Sequence, residues 1–399
     1  IQDGDVVISD RKKPMIEVND ATNIRIQDLV LQYNLGDGVV VADSESIEIA
    51  GCEFRKIQGT GLEITGGKNC GIRSSDMYDM GSTCIVLQNV PGDAKTVSEQ
   101  DMEPRGHYAI NNHLHHYAVN QRIYASAVNV GFEHRVAVGM HVAHNLIHDA
   151  PHGAILYGSH KNLIEYNHMY RMCQFSGDLG GIYSADYERR KRGGSGFGDN
   201  LIRYNFEHHG LESRGVYIDF QQHRDKIYGN VTYGLQLGYL IKVGDKTPHH
   251  VVNNVSISSI HDYSVAKIEG NVYRDNLSVN CGKAVHNLVG AGMKVIDEGE
   301  DGAAVLRIAG DPGFVDPERL DFRLKDDSPV FEKLPGFKQI PMEKMGLYTD
   351  EFRQELPPEA SPTLSGFAKK PVPLEVGDVT ASSERPGFDA VNGVDGNIH

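Results

Sequence analysis

Two aspartates stand where their residue type is out of place. Asp219 ends Gly215-Val-Tyr-Ile-Asp219, a run whose other members favour a strand and whose carboxylate does not. Such local violations concentrate at functional sites. Asp178 lies in Ser176-Gly-Asp-Leu-Gly-Gly, where Gly177, Gly180 and Gly181 let the backbone bend sharply and aim the side chain over a neighbouring strand. The two are 41 residues apart. Paired carboxyl groups at a sugar-sized separation are the minimum equipment for glycoside hydrolysis, one as acid and one as base or nucleophile. Lys242 ends the next equivalent run, Gly238-Tyr-Leu-Ile-Lys242, and an adjacent ammonium favours an ionised Asp219. With no cation evident beside it, Asp178 is expected to keep a proton and act as the acid. The bland alternatives are an exposed Asp219–Lys242 salt bridge and an Asp178 that bonds its own turn.

Further side chains belong to the same runs. Tyr183 and Tyr217, with Tyr157 and Tyr239, fall on adjacent segments, and in a chain without Trp they can stack on a sugar or pack as a core ladder. His148 and His152 precede the Gly153 segment, and His223 follows Asp219. These three are candidates for hydrogen bonds to a sugar hydroxyl or a carboxylate, against a structural role for any one of them. The candidate site is thus Asp178 and Asp219 as catalytic groups, with His148, His152, Tyr183, Tyr217, His223 and Lys242 contacting substrate. No HExxH or comparable set supports a metal, and no cofactor is expected.

Strands must position these groups. Asn23-Ile-Arg-Ile, Ser46-Ile-Glu-Ile and Asn69-Cys-Gly-Ile recur every 23 residues. Gly38-Val-Val-Val and Gly61-Leu-Glu-Ile keep the same step, and Thr83-Cys-Ile-Val follows after 22. Each segment alternates with period two between turn residues, which is strand chemistry. A period of this length means a solenoid, and short strands in each turn mean a parallel β-helix. Asn145, Asn167, Asn205, Asn230, Asn254 and Asn276 continue it at steps of 22, 38, 25, 24 and 22. Asn at an equivalent turn suits a left-handed conformation, and stacked amides can bond from coil to coil. The 38-residue step holds an insertion, Arg189-Arg-Lys-Arg-Gly-Gly-Ser-Gly-Phe-Gly198, expected in a loop at 186–199 that walls the substrate groove. On this register Cys70 replaces Ile24 and Ile47, and Cys84 replaces Val39 and Leu62, as inward core thiols.

Composition narrows the class. A net charge of −15 argues against a nucleic-acid partner, and no apolar run is long enough for a membrane helix. Five cysteines without CxxC spacing argue against a disulfide framework or a zinc site. The expected organisation is an all-β parallel β-helix over 1–310, a capping segment over 311–356 and a Pro-rich linker over 357–373. Residue 1 is Ile, so the chain reads as processed or cut from something longer.

Specific motifs carry a family resemblance: Asn145-Leu-Ile-His-Asp, Asn162-Leu-Ile-Glu-Tyr-Asn, Asp178-Leu-Gly-Gly-Ile-Tyr, Leu201-Ile-Arg-Tyr-Asn-Phe, Gly215-Val-Tyr-Ile-Asp219 and Ile227-Tyr-Gly-Asn-Val. With Asp311-Pro-Gly-Phe-Val-Asp-Pro and Gly346-Leu-Tyr-Thr-Asp-Glu-Phe-Arg353, they resemble right-handed parallel β-helix glycoside hydrolases of the family 141 type, which includes α-L-fucosidases and xylanases. The resemblance runs over about 20–353 and implies catalysis by Asp178 and Asp219 on a plant or algal polysaccharide, in a secreted, periplasmic or cell-surface protein. Phe220-Gln-Gln-His-Arg-Asp departs from the acidic, Gly-rich turn usual after the second Asp. Residues 374–399 resemble the opening of a discoidin-type carbohydrate-binding module. The scaffold itself does not settle function. A polysaccharide lyase is the second reading, using Lys, Arg, Tyr or His (Arg189 to Arg192, Arg214, Arg224 and Lys242 among them), often with calcium on the uronate. A non-catalytic glycan-binding solenoid is the third.

Overall fold

The structure is a computed structural model that describes residues 9–90, 102–132, 136–185, 198–221, 224–243, 249–265, 272–282, 295–296 and 304–361. Each coil contributes three short strands, and equivalent strands of successive coils pair in parallel. The result is a right-handed parallel β-helix, all-β apart from a few short helical turns. The first face holds Ile16–Asn19, Val39–Ala42, Leu62–Thr65, Ile85–Gln88, Val128–Val130, Ile155–Tyr157 and Ile182–Ala185. The second face is a ten-stranded sheet that starts at Thr22–Gln27 and ends at Val272–Arg274. The third runs from Val30–Asn34 through Asn276–Val279 to Val305–Ile308. Two long strands, Phe206–Gln221 and Val231–Val243, pass from the third face round a corner into the first.

Period-two alternation sends one row of each strand inward. On the first face Val39, Leu62, Ile85, Val128, Ile155, Ile182, Val216, Tyr239 and Tyr263 stack in register, all buried. Each such aliphatic side chain contributes about 1.5–3 kcal/mol by leaving water. Tyr239 and Tyr263 end the row with rings 4.8 Å apart, and their hydroxyls donate to the carbonyls of Asn230 and Asn254. A buried hydroxyl without such a partner costs about 1–3 kcal/mol.

The corner between the second and third faces carries the predicted amide ladder. Asn112, Asn145, Asn167, Asn205, Asn230, Asn254 and Asn276 stack, each Oδ1 from Asn145 onward accepting the backbone N–H of the Asn one coil earlier, while that of Asn112 accepts Ser75 N–H. These asparagines are not the left-handed residues. The preceding residue takes that conformation in each coil: His144 at φ 56°, Tyr166 at 55°, Tyr204 at 54° and Asn253 at 62°. Large side chains bear a strained backbone there so that the amide can point into the coil.

The expected register of Cys84 is one residue out, and alignment of the Gly153 and Gly181 segments on their leading glycines misplaces Tyr157 by the same step. Leu62 pairs with Ile85, so Cys84 follows Gly61 in the stack, although it is still buried. Ile155 pairs with Ile182, so Tyr157 stands beside Ser184 and points inward, where its hydroxyl donates to Asp225. A one-residue slip in a strand exchanges its two faces.

After Val305–Ile308 the chain folds back along the third face. The antiparallel strands Phe314–Asp316 and Asp321–Leu324 and the helix Pro329–Lys333, capped by Ser328, pack on an outward apolar row of Phe206, Val231, Val255 and Leu277. The Gly346 amide then donates to Tyr166 O, Tyr348 N to Asn111 Oδ1, and Arg353 meets Asp76 at 2.6 Å. The described course of the segment expected as a cap is therefore along the side of the solenoid. The linker beyond 361 and the 374–399 segment lie outside the described residues.

Candidate active site

The candidate residues lie at the corner where the third face turns into the first, which holds Asp178, and along the first face beyond it, which holds Asp219. Asp219 is on the outward row of the first face, paired with Ala185 on one side and Lys242 on the other, as the sequence register requires. Its side chain is 14% exposed. Oδ2 accepts the Tyr183 hydroxyl at 3.2 Å, and Lys242 Nζ stands 3.7 Å from Oδ1. Oδ1 is buried and accepts no hydrogen bond among the described residues. The Lys242 ammonium instead donates to the Tyr217 hydroxyl at 2.5 Å and lies 4.9 Å from the centre of its ring.

Asp178 takes a left-handed conformation, φ 64°, on the turn that enters the Ile182–Ala185 strand. The turn is tight: a Cβ on Gly180 would lie 1.6 Å from the Arg214 carbonyl oxygen. The Asp178 side chain is 73% exposed, and Arg214 Nη1 stands 3.2 Å from its Oδ1. The expected setting without a cation is therefore not what is found. Arg214 comes from the corner of the long Phe206–Gln221 strand, 36 residues on in sequence, and its N–H donates to Leu179 O. Its guanidinium also stands 5.5 Å from the Tyr217 ring centre. Tyr217 thus touches the Lys242 arm and the Arg214 arm together.

Tyr183 and Tyr217 pack edge to face with centroids 4.9 Å apart. Both are buried, so neither offers a face to a sugar, which corrects the stacking role expected of them. Burial first, and the Asp219 carboxylate second, push both hydroxyls far above the usual tyrosine range. They stay protonated, Tyr183 donating to Asp219 and Tyr217 accepting from Lys242. Tyr157 and Tyr239 are core residues.

The histidines divide differently from expectation. His152 is buried with both ring nitrogens engaged: Nδ1 accepts Tyr124 N–H at 3.0 Å and Nε2 donates to Gly177 O at 3.2 Å. It braces the Asp178 turn from behind. Burial lowers its pKa and keeps the ring neutral. His148 belongs to the third face, away from the corner. Its rings neighbours are His115 at 4.9 Å and Tyr170 at 4.7 Å, and its nitrogens meet His113 and Asp149, both at 2.7 Å. It has no free atom for a sugar. His223 lies outside the described residues, as does 186–197 of the expected wall loop.

Several side chains at the corner were not singled out from sequence. Phe132 packs on Tyr183 at 5.7 Å, and Tyr124 packs on Phe132 and on His152. Phe175 is 59% exposed three residues before Asp178, with the Arg122 guanidinium 4.9 Å from its ring centre. Tyr124 is 40% exposed. Both are more exposed than the buried tyrosines, Phe175 the more so. The available signal was that Phe175 interrupts a polar turn, Cys173-Gln-Phe-Ser-Gly-Asp178. Among the described residues no group of three or more His, Cys, Asp or Glu side chains is arranged to hold a metal ion.

A family model for the right-handed β-helix region matches residues 14–113. No curated protein matches the sequence. Among solved structures, the chain is similar to a glycoside hydrolase, at 13% identity and TM-score 0.34, covering 64% of this chain and 40% of that one. It is also similar to a mutant of the PL6 family alginate lyase AlyGC, at 12% identity and TM-score 0.41, over 86% of this chain and 56% of the other. A third likeness is to the alginate lyase AlyF-OU02, at 12% identity and TM-score 0.32, over 76% and 66%. The chain thus spans less than two thirds of each of these proteins.

Proposed function

We propose that this chain is a glycan-active enzyme, and specifically a glycoside hydrolase that uses Asp219 as nucleophile or base and Asp178 as the second carboxyl group. The observation that carries the proposal is the Asp219 carboxylate. One oxygen is held by Tyr183, and the other is buried, 3.7 Å from an ammonium, with no donor among the described residues. An unbonded buried oxygen of this kind is costly to maintain, and a reacting group is one reason to keep it. A sugar carbon or a water molecule would complete it. Asp178 is exposed and paired with Arg214, whose guanidinium lies 5.5 Å from the centre of the Tyr217 ring that Lys242 also contacts. In the reaction, water supplies OH to the anomeric carbon, the glycosidic C–O bond breaks and the leaving oxygen takes a proton. The family 141 resemblance of the Asp178 and Asp219 motifs adds a plant or algal polysaccharide of fucosidase or xylanase type.

The lyase reading draws on the cations. Lys242 contacts Tyr217, and Arg214 lies against the same ring, a set that would hold a uronate and remove its proton. Against it, the Tyr217 hydroxyl is buried and held protonated, which makes it a poor base. Incubation with plant and algal polysaccharides and aryl glycosides separates the readings. A hydrolase gives new reducing ends without ultraviolet absorbance, whereas a lyase gives an unsaturated, absorbing sugar. Binding with no product leaves the non-catalytic solenoid.

The exposed aromatics supply a second test. Phe175→Ala should raise KM roughly fivefold, about 1 kcal/mol of lost ring contact, with kcat little changed. An unchanged KM on an oligosaccharide long enough to cross the corner would remove Phe175 from the binding surface.

A further inference from the structure

Deep inside the coil, below the corner, lies a carboxyl group that the proposed chemistry does not use. Glu207 is on the inward row of the third face, in register with Met169 on one side and Thr232 on the other. It is buried, as is Ser213. Its Oε2 accepts the Gly181 N–H at 3.1 Å, and its Oε1 accepts the Ser213 hydroxyl. Gly181 ends the turn that carries Asp178, and Ser213 immediately precedes Arg214. The contact with Gly181 leaves no room for a side chain there, because a Cβ would sit 2.3 Å from Oε2.

We propose that Glu207 is a positioning residue that clamps the two segments bearing Asp178 and Arg214, and so sets the geometry of that ion pair. The inference rests on the assignment of Asp178 to the active site. One buried group reaches both segments, and the Arg214 N–H to Leu179 O bond ties them a second time above it. The titratable groups that face Glu207 are Cys173, Tyr117 and Tyr239, all raised by burial and therefore neutral. Burial likewise pushes the Glu207 carboxyl up to about 8, and the bonds from Ser213 and Gly181 pull it back only in part. At neutral pH the clamp is largely an uncharged acid. Ionisation above pH 8 puts a charge in an apolar core that the Ser213 and Gly181 bonds offset only in part, and the cost of burying it favours opening of the two segments to water. An alkaline limit to activity follows from a residue that never touches substrate.

The test compares wild type, Glu207→Gln, Glu207→Ala and Ser213→Ala. Amide hydrogen exchange across 177–181 and 213–214, corrected for base catalysis, is read beside kcat against pH on a glycan the wild type cleaves. Glu207→Gln should keep the protection and kcat of wild type at pH 7. Glu207→Ala should lose about tenfold in both, with KM changed less and protection elsewhere retained. Above pH 8 wild type should lose protection at 177–181 and kcat together, while Glu207→Gln should not. Unchanged protection in Glu207→Ala, or the same alkaline limb in wild type and Glu207→Gln, would overturn the proposal. If Glu207→Ala does not fold, Ser213→Ala decides: local loss at both segments supports the clamp, and no loss or a uniform loss overturns it. The exchange measurement needs no substrate. A chain that cleaves no glycan would therefore defeat the functional reading and still leave the clamp judged.

Discussion

Asp219→Asn should abolish turnover on every substrate, a fall in kcat of about three orders of magnitude or more, with the β-helix intact. The amide keeps the shape and the Tyr183 bond but removes the charge that attacks the anomeric carbon or deprotonates water. Asp178→Asn should behave differently if that residue supplies the proton. Natural glycosides should lose most of their rate, and aryl glycosides, whose leaving groups need little protonation, should keep most of theirs. The opposite pattern would exchange the roles, and full activity in either variant would remove that residue from the mechanism. The ion pair with Arg214 sharpens this test, because the isolated Asp178 expected from sequence is not the one the fold provides.

Acid should unfold the protein at a pH where most globular domains are still stable. Burial first, and other histidines in some cases, lower His107 to about 4, His113 to about 2 and His168 to about 3, and hold His208 well below its ordinary value. The pairs His113–His148 and His168–His208 share a hydrogen bond between ring nitrogens, which requires one donor and one acceptor. The sign follows from where the protons bind. An unfolded histidine takes its proton near pH 6.5, and a folded one resists until about pH 2–4. The unfolded state therefore binds more protons across that window, and stability falls as pH drops below 6.5. At pH 5 each of the four costs on the order of 2 kcal/mol, so together they approach the whole stability of a typical domain. Denaturant titrations between pH 7.5 and pH 4.5 should show this as a net uptake of about three protons or more on unfolding near pH 5, the four taken up by these histidines less the one that Glu207 releases. A flat profile would contradict the buried, neutral ladder. Glu207 works the other way, costing stability as pH rises from its ordinary 4.5 toward 8, so the optimum should lie near neutrality.

The contrast between these two regions explains what can be read from the chain. The 23-residue step and the asparagine series are local and periodic, and they mark the β-helix and its amide ladder directly. Asp219 and Lys242 were legible for the same reason: both end equivalent strands, and stacking places them side by side. Contacts made by departures from the repeat were not legible. Arg214 reaches Asp178 only because the Phe206–Gln221 strand shifts register at the corner between Gly210 and Arg214. The Gly153 segment slips by one residue, which turns Tyr157 inward. Tyr170, which stacks on His148, meets a returning segment at Glu359, a contact 189 residues apart in sequence. Burial of Tyr183 and Tyr217 depends in the same way on loops such as that bearing Phe132. Periodicity says nothing about such returns. The left-handed tyrosines and histidine that precede the ladder asparagines are a further case, since backbone demand overrides the preference of the residue type.

The measurement that tests the central claim most directly is cleavage of the best glycan substrate in heavy-oxygen water by wild type and Asp219→Asn. Hydrolysis through Asp219 predicts one heavy oxygen in the new reducing-end hydroxyl, no ultraviolet-absorbing product, and no label above background with Asp219→Asn. An unsaturated product without label, or full labelling by Asp219→Asn, would contradict it.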